Sequence, residues 1–215
     1  MCQLILTKSK EDFKTKDDGI VNNKKEQIQM LVATAINRAY RDAASHVLKT
    51  DGKNESVRSI GAKFLLENIN IEELENAYSL IEGLQDKITS ETEAGEEEFT
   101  IGISQKWVNM TYKYIYLLNK LIFTESLISE EKFQNIYEIP IDRYIISAAK
   151  LQNKSWSVYD KDTYENAKKK ISDELNKDNK IKWENRKWME NAIKSSDSTY
   201  NRRIKTIIDS ISKEE

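Results

Sequence analysis

No disulfide framework is expected, because Cys2 is the only cysteine in the 215 residues and has no partner among them. A reducing compartment follows, and a cytoplasmic protein is expected. Histidine is equally scarce: a Ser-His or Cys-His nucleophile pair has only His46 to build on, and no His- or Cys-rich metal site can be assembled. His46 sits among Ala43, Ala44 and Val47, where it reads as a satisfied structural side chain. No glycine-rich phosphate loop is present, so neither nucleotide-driven work nor a cofactor is expected. Met-Cys-Gln-Leu-Ile-Leu is too short an apolar run for a signal or a membrane span, and no stretch of about twenty apolar residues follows. No membrane partner is expected.

One proline and six glycines leave few forced turns, and the remainder is rich in Lys, Glu, Asn, Ile and Leu. That balance favours long helices over short strands, so the expected fold is all-α, a multi-helix globular bundle. The length suffices for a real core although 33% of the residues are charged. The formal charge is −2, but it is uneven: the part before Lys150 is net acidic and the part after it net basic.

Residues 1–23 are largely polar and without periodicity, and read as an N-terminal arm. Residues 24–215 read as one helical domain, with N-terminal helices in 24–98, a central core in 99–150 and C-terminal helices in 151–215. Ile28, Leu31, Val32, Ala35, Ile36, Ala39, Ala43 and Val47 predict a helix from Lys24 to about Lys49, stopped at Asp51-Gly52-Lys53-Asn54. Val57, Ile60, Phe64 and Leu65 predict a shorter helix, and Ile71 to Ile88 another. The glutamate-rich run Glu91 to Glu98 reads as a solvated acidic loop, since its carboxylates have no converging spacing.

A central helix is predicted from Ser104, as N-cap, to about Leu121, with Trp107, Met110, Tyr114, Leu117, Leu118 and Leu121 toward the core. Lys106, Asn109, Lys113, Tyr116 and Lys120 share another face, a polar and basic stripe that is either solvated or turned toward phosphates. After a possible short helix from Ser129, Pro140 marks a further helix start that places Asp142 in the first turn. Three tail helices are predicted, at about Lys161 to Asn176, Ile181 to Lys194 and Ser198 to Ser212.

Gly-Ile-Ser-Gln-Lys at 102–106, an apolar helix, and then Ile-Pro-Ile-Asp-Arg-Tyr-Ile at 139–145 resemble the heart of the helix-hairpin-helix DNA glycosylase superfamily. The archaeal 8-oxoguanine glycosylase branch is nearest in style. Residues 102–148 carry the resemblance, with Ser104 in place of the second hairpin glycine. The resemblance implies that Lys106 is the amine that attacks the sugar and that Asp142 is the catalytic aspartate. It makes 99–150 a glycosylase-like core.

The residues fit that chemistry in their own right. A lysine in the first helical turn, partly buried against Trp107, has its ammonium form disfavoured, and a neutral amine can form a Schiff base at C1 of a deoxyribose. Asp142 can stabilise the cationic sugar or take the lysine proton. A base flipped from duplex DNA needs a pocket. Gln105, Asn109, Tyr112, Tyr144 and Trp156 are its candidate walls, with Tyr116 and Trp107 as further nearby aromatics. Lys113, Lys120, Lys168, Lys169, Lys182, Arg186 and Lys187 are the candidate DNA contacts. The expected function is thus a DNA glycosylase, with or without lyase activity, acting on a damaged or modified base. The competing expectation is a non-catalytic helical adaptor, or a host-defence or viral effector, binding DNA, a protein or a small nucleotide.

Overall fold

The computed structural model describes residues 24–44, 53–71, 77–92, 94–123, 127–151, 154–175 and 178–194. The N-terminal arm, Cys2, His46 and the predicted helix from Ser198 lie outside the described residues. Among the described residues the fold is all-helical, with eight α-helices, one 3-10 turn and no strand. None of these helices is long and apolar enough to cross a membrane.

The apolar repeat of α1 (Lys24–Ala43) becomes a buried face of Leu31, Val32, Ala35, Ile36 and Ala39. Helices α2 (Lys53–Asn68) and α3 (Ala77–Glu91) follow, and α3 buries Leu80, Ile81, Leu84 and Ile88 at helical spacing. Glu96, Glu97 and Glu98 in the next turn are exposed, as a solvated acidic loop requires.

Helix α4 (Ile101–Ile122) is the centre of the molecule and is covered on more than one side. It lies against α1, α3, the 3-10 turn Trp156–Val158 and α7 (Lys161–Leu175). The Trp107 indole reaches α1, donating through Nε1 to the Ile36 carbonyl at 3.0 Å, and packs against the Tyr40 and Phe99 rings. The absence of a side chain at Gly61 of α2 leaves room for it, since a Cβ there would lie 2.5 Å from the Trp107 ring. Short helices α5 (Glu130–Ile136) and α6 (Arg143–Ala148) lead into the tail, where α8 (Lys180–Lys194) packs on α6. Ser129 caps α5 by accepting from the Lys132 amide at 3.1 Å.

Candidate functional site around Lys106 and Asp142

Helix α4 starts at Ile101, with its N-cap four residues before the expected Ser104. Thr100 is its N-cap: Oγ1 accepts from the Ile103 amide at 3.2 Å and donates to the Ser157 carbonyl at 2.8 Å, tying the helix start to the 3-10 turn. Ser104 is instead buried inside the helix and donates to the Ile81 carbonyl at 2.6 Å. Lys106 therefore lies in the second turn, beyond the reach of the positive helix end, which fades within the first turn. The dipole contribution expected from the sequence is not available to it.

Burial does act on Lys106. Desolvation lowers its pKa from the ordinary 10.5, opposed by the charges of Asp142 and then Asp42 and assisted by Arg143. The amine lies over the ring of Trp156, whose centroid is 4.2 Å away. That ring face favours the ammonium and offsets part of the burial penalty. Among the described residues no carboxylate comes within ion-pair distance of the amine.

Gln105 explains why Lys106 and Asp142 are neighbours. Its fully buried amide donates to the Ile141 carbonyl at 2.9 Å and accepts from the Ile141 amide at 3.1 Å, satisfying both backbone groups of the residue before Asp142. Asp142 itself precedes the first turn of α6 and is its N-cap. One carboxylate oxygen accepts from the Tyr144 and Ile145 amides at 2.9 and 3.0 Å, and the other accepts from Trp188 Nε1 at 3.0 Å. The Trp188 ring also meets Tyr144 edge-on, with centroids 4.9 Å apart, so the same aspartate anchors α6 to α8. The pair thus shares one neighbourhood without forming an ion pair.

The candidate base-pocket side chains divide into two groups. Gln105, Asn109 and Tyr112 are buried in the interior, and Asn109 donates to Gln105 at 3.3 Å and to the Tyr164 hydroxyl at 3.4 Å. Tyr144 and Trp156 are half-buried beside Asp142 and Lys106 respectively. Neither the cavity beside Lys180 nor the one beside Tyr159 is lined by Lys106 or Asp142.

The expected basic stripe of α4 is packed over most of its length and reaches solvent at Lys120. Asn109 and Tyr116 are buried, and half-buried Lys113 donates to Glu184 at 2.6 Å and Asn185 at 3.0 Å. Lys120 pairs with Glu130 at 2.6 Å, and Tyr116 donates to the same carboxylate. Of the other candidate DNA contacts, Arg186 pairs with Asp178 at 2.9 Å, Lys187 with Glu190 at 3.7 Å and Lys168 with Glu165 at 3.8 Å. Lys169 and Lys182 are exposed.

The structure adds residues that sequence reasoning missed. Glu184, 2% exposed, joins Lys113 to the Tyr137 hydroxyl, which donates to it at 2.7 Å. Trp188 holds Asp142, and Tyr114 donates to Asp42 at 2.5 Å. The one signal for Glu184 was its place between Ile181, Trp183 and Trp188 in an apolar-periodic helix. Comparison with protein-family models, with curated proteins and with solved structures finds no match to this chain.

Proposed function

We propose that this chain is a non-catalytic helical adaptor that binds a protein rather than DNA. The engagement of Asp142 carries this reading. Both carboxylate oxygens accept hydrogen bonds that cap α6 and dock α8, so recruiting them to a sugar cation means giving up helix anchoring. The buried state of Gln105, Asn109 and Tyr112 supports the same reading, because three of the five candidate pocket walls are committed to the core. The partner class follows from charge. Lys113, Lys120 and Arg186, three of the seven candidate DNA contacts, are each paired with a carboxylate within 3.0 Å, which reduces the charge that this set offers to a phosphate backbone.

A glycosylase with lyase activity is the second reading, favoured by one observation: burial disfavours the ammonium form of Lys106 while Asp142 supplies the largest opposing charge nearby. The two readings separate in one experiment, which follows binding and base release on duplexes carrying modified bases across a salt series. The adaptor reading expects no release, and binding no tighter than the roughly micromolar, salt-sensitive level of non-specific contact. Base release abolished by both Lys106→Gln and Asp142→Asn would replace it with the enzymatic one.

A further inference from the structure

A cavity of about 300 Å³ opens between α7 and the segment leading to α6, close to the start of α8. It lies outside the Lys106 neighbourhood. Its apolar lining is Ile139, Ile171 and Leu175, and the first two are nearly inaccessible, so part of the lining is the surface of the core itself. Three ammonium groups, from Lys168, Lys169 and Lys180, share this lining with the carboxylates of Glu138 and Glu165.

Two of the three lysines are held in place without a short ion pair. Lys180 donates from Nζ to the Tyr137 carbonyl at 2.6 Å. A neutral acceptor fixes the ammonium without cancelling its charge, and an ammonium has two further donors. Lys168 is 4.6 Å from the Tyr78 ring centroid and 5.5 Å from that of Tyr164, with the Glu165 carboxylate at 3.8 Å. The ring faces position it and favour its charged form. Lys169 is exposed beside it on α7.

We propose that this cavity binds a small organic phosphate monoester, its anionic oxygens met by Lys168, Lys169 and Lys180 and its compact apolar body resting on Ile139, Ile171 and Leu175. Three separate point-charge donors suit a group with three terminal oxygens and close to two negative charges, better than a flat carboxylate that a single arginine fork would hold. The volume is at the small end of ligand pockets, so a body of about one ring is the largest that fits. The excess of three ammonium groups over two carboxylates gives the sign of selectivity.

Calorimetric titration of the full chain with phenyl phosphate tests this, with benzoate and dimethyl phosphate as carboxylate and diester controls. Phenyl phosphate should bind at least about tenfold more tightly than either control, and Lys169→Ala should weaken it about tenfold, the loss expected for one charge-assisted hydrogen bond. Leu175→Ala should weaken phenyl phosphate while leaving inorganic phosphate unchanged. Lys169 is exposed, so its variant reads binding without a change in folding. No heat with phenyl phosphate up to millimolar concentration, equal affinity for benzoate, or an unchanged affinity in Lys169→Ala would each overturn the proposal. Preference for dimethyl phosphate would also overturn it, pointing to a nucleic-acid backbone instead.

Discussion

Replacing Glu184 by alanine should be among the most damaging single changes in the molecule. The carboxylate is 2% exposed and receives both the Lys113 amine at 2.6 Å and the Tyr137 hydroxyl at 2.7 Å. The lysine side chain is only 14% exposed, so water cannot fully replace the lost partner. Breaking a buried pair by deleting one member costs about 3–5 kcal/mol, to which an unmatched buried hydroxyl contributes about 1–3 kcal/mol. At roughly 2–4 °C per kcal/mol for a chain of this size, the melting temperature should fall by about 6–20 °C. Urea unfolding followed by tryptophan fluorescence reads the effect, with Trp183 next to the altered residue in the core. The double variant Glu184→Leu with Lys113→Met should recover much of the loss, because an apolar pair of similar volume avoids burying any charge. Glu184→Ala within about 1 kcal/mol of the wild type would refute the claim that the polar face of α4 is internal at Lys113.

Gly102→Ala should destabilise although alanine is the better helix former by about 1 kcal/mol, because a Cβ there runs into the Trp156 carbonyl and lies 3.1 Å from Tyr159 Cβ. Thermal unfolding checks it, and a more stable alanine variant would contradict it. Lys106→Met should be more stable than the wild type at neutral pH. Below its lowered pKa the lysine is charged in both states and the folded chain carries the burial penalty. Between that value and the ordinary 10.5 the unfolded chain holds a proton the folded one has lost, so wild-type stability gains with pH and the advantage of methionine narrows. Urea midpoints across that range read the trend, and an advantage independent of pH would refute it. Glu130 has its carboxyl pKa lowered to about 2 by Lys120, Tyr116 and Asn179, so its contribution should be present above 4.5 and lost as pH falls toward about 2. The difference between wild type and Glu130→Gln should therefore vanish in acid and, for so exposed a pair, be small and weakened by salt.

Much of the fold was legible because the apolar residues of α1, α7 and α8 repeat at helical spacing, and the two described tail helices, α7 and α8, begin within a residue of their expected starts. The start of α5 at Ser129 was legible as well, and the bond that fixes it is local: the cap's partner is three residues away. The start of α4 was not. Thr100 and Ser104 are both capping residues one turn apart, and the choice falls to Thr100 in company with the Ser157 carbonyl, 57 residues away in the chain. The second face of α4 was hidden similarly. Gln105, Asn109 and Lys113 look like surface residues until their partners arrive from 36, 55 and 71 residues further along. Polar side chains that bury themselves by pairing at such range leave no periodic trace. Lys106 and Asp142 were found as neighbours, whereas the commitment of Asp142 to Trp188 rests on a contact between two separate helices.

Borohydride trapping on duplex DNA containing an abasic site tests the central claim most directly, with Lys106→Gln as the control and intact-mass measurement as the readout. The adaptor reading predicts no covalent adduct in either protein. An adduct formed by the wild type and absent from Lys106→Gln would contradict it and establish Lys106 as an amine nucleophile.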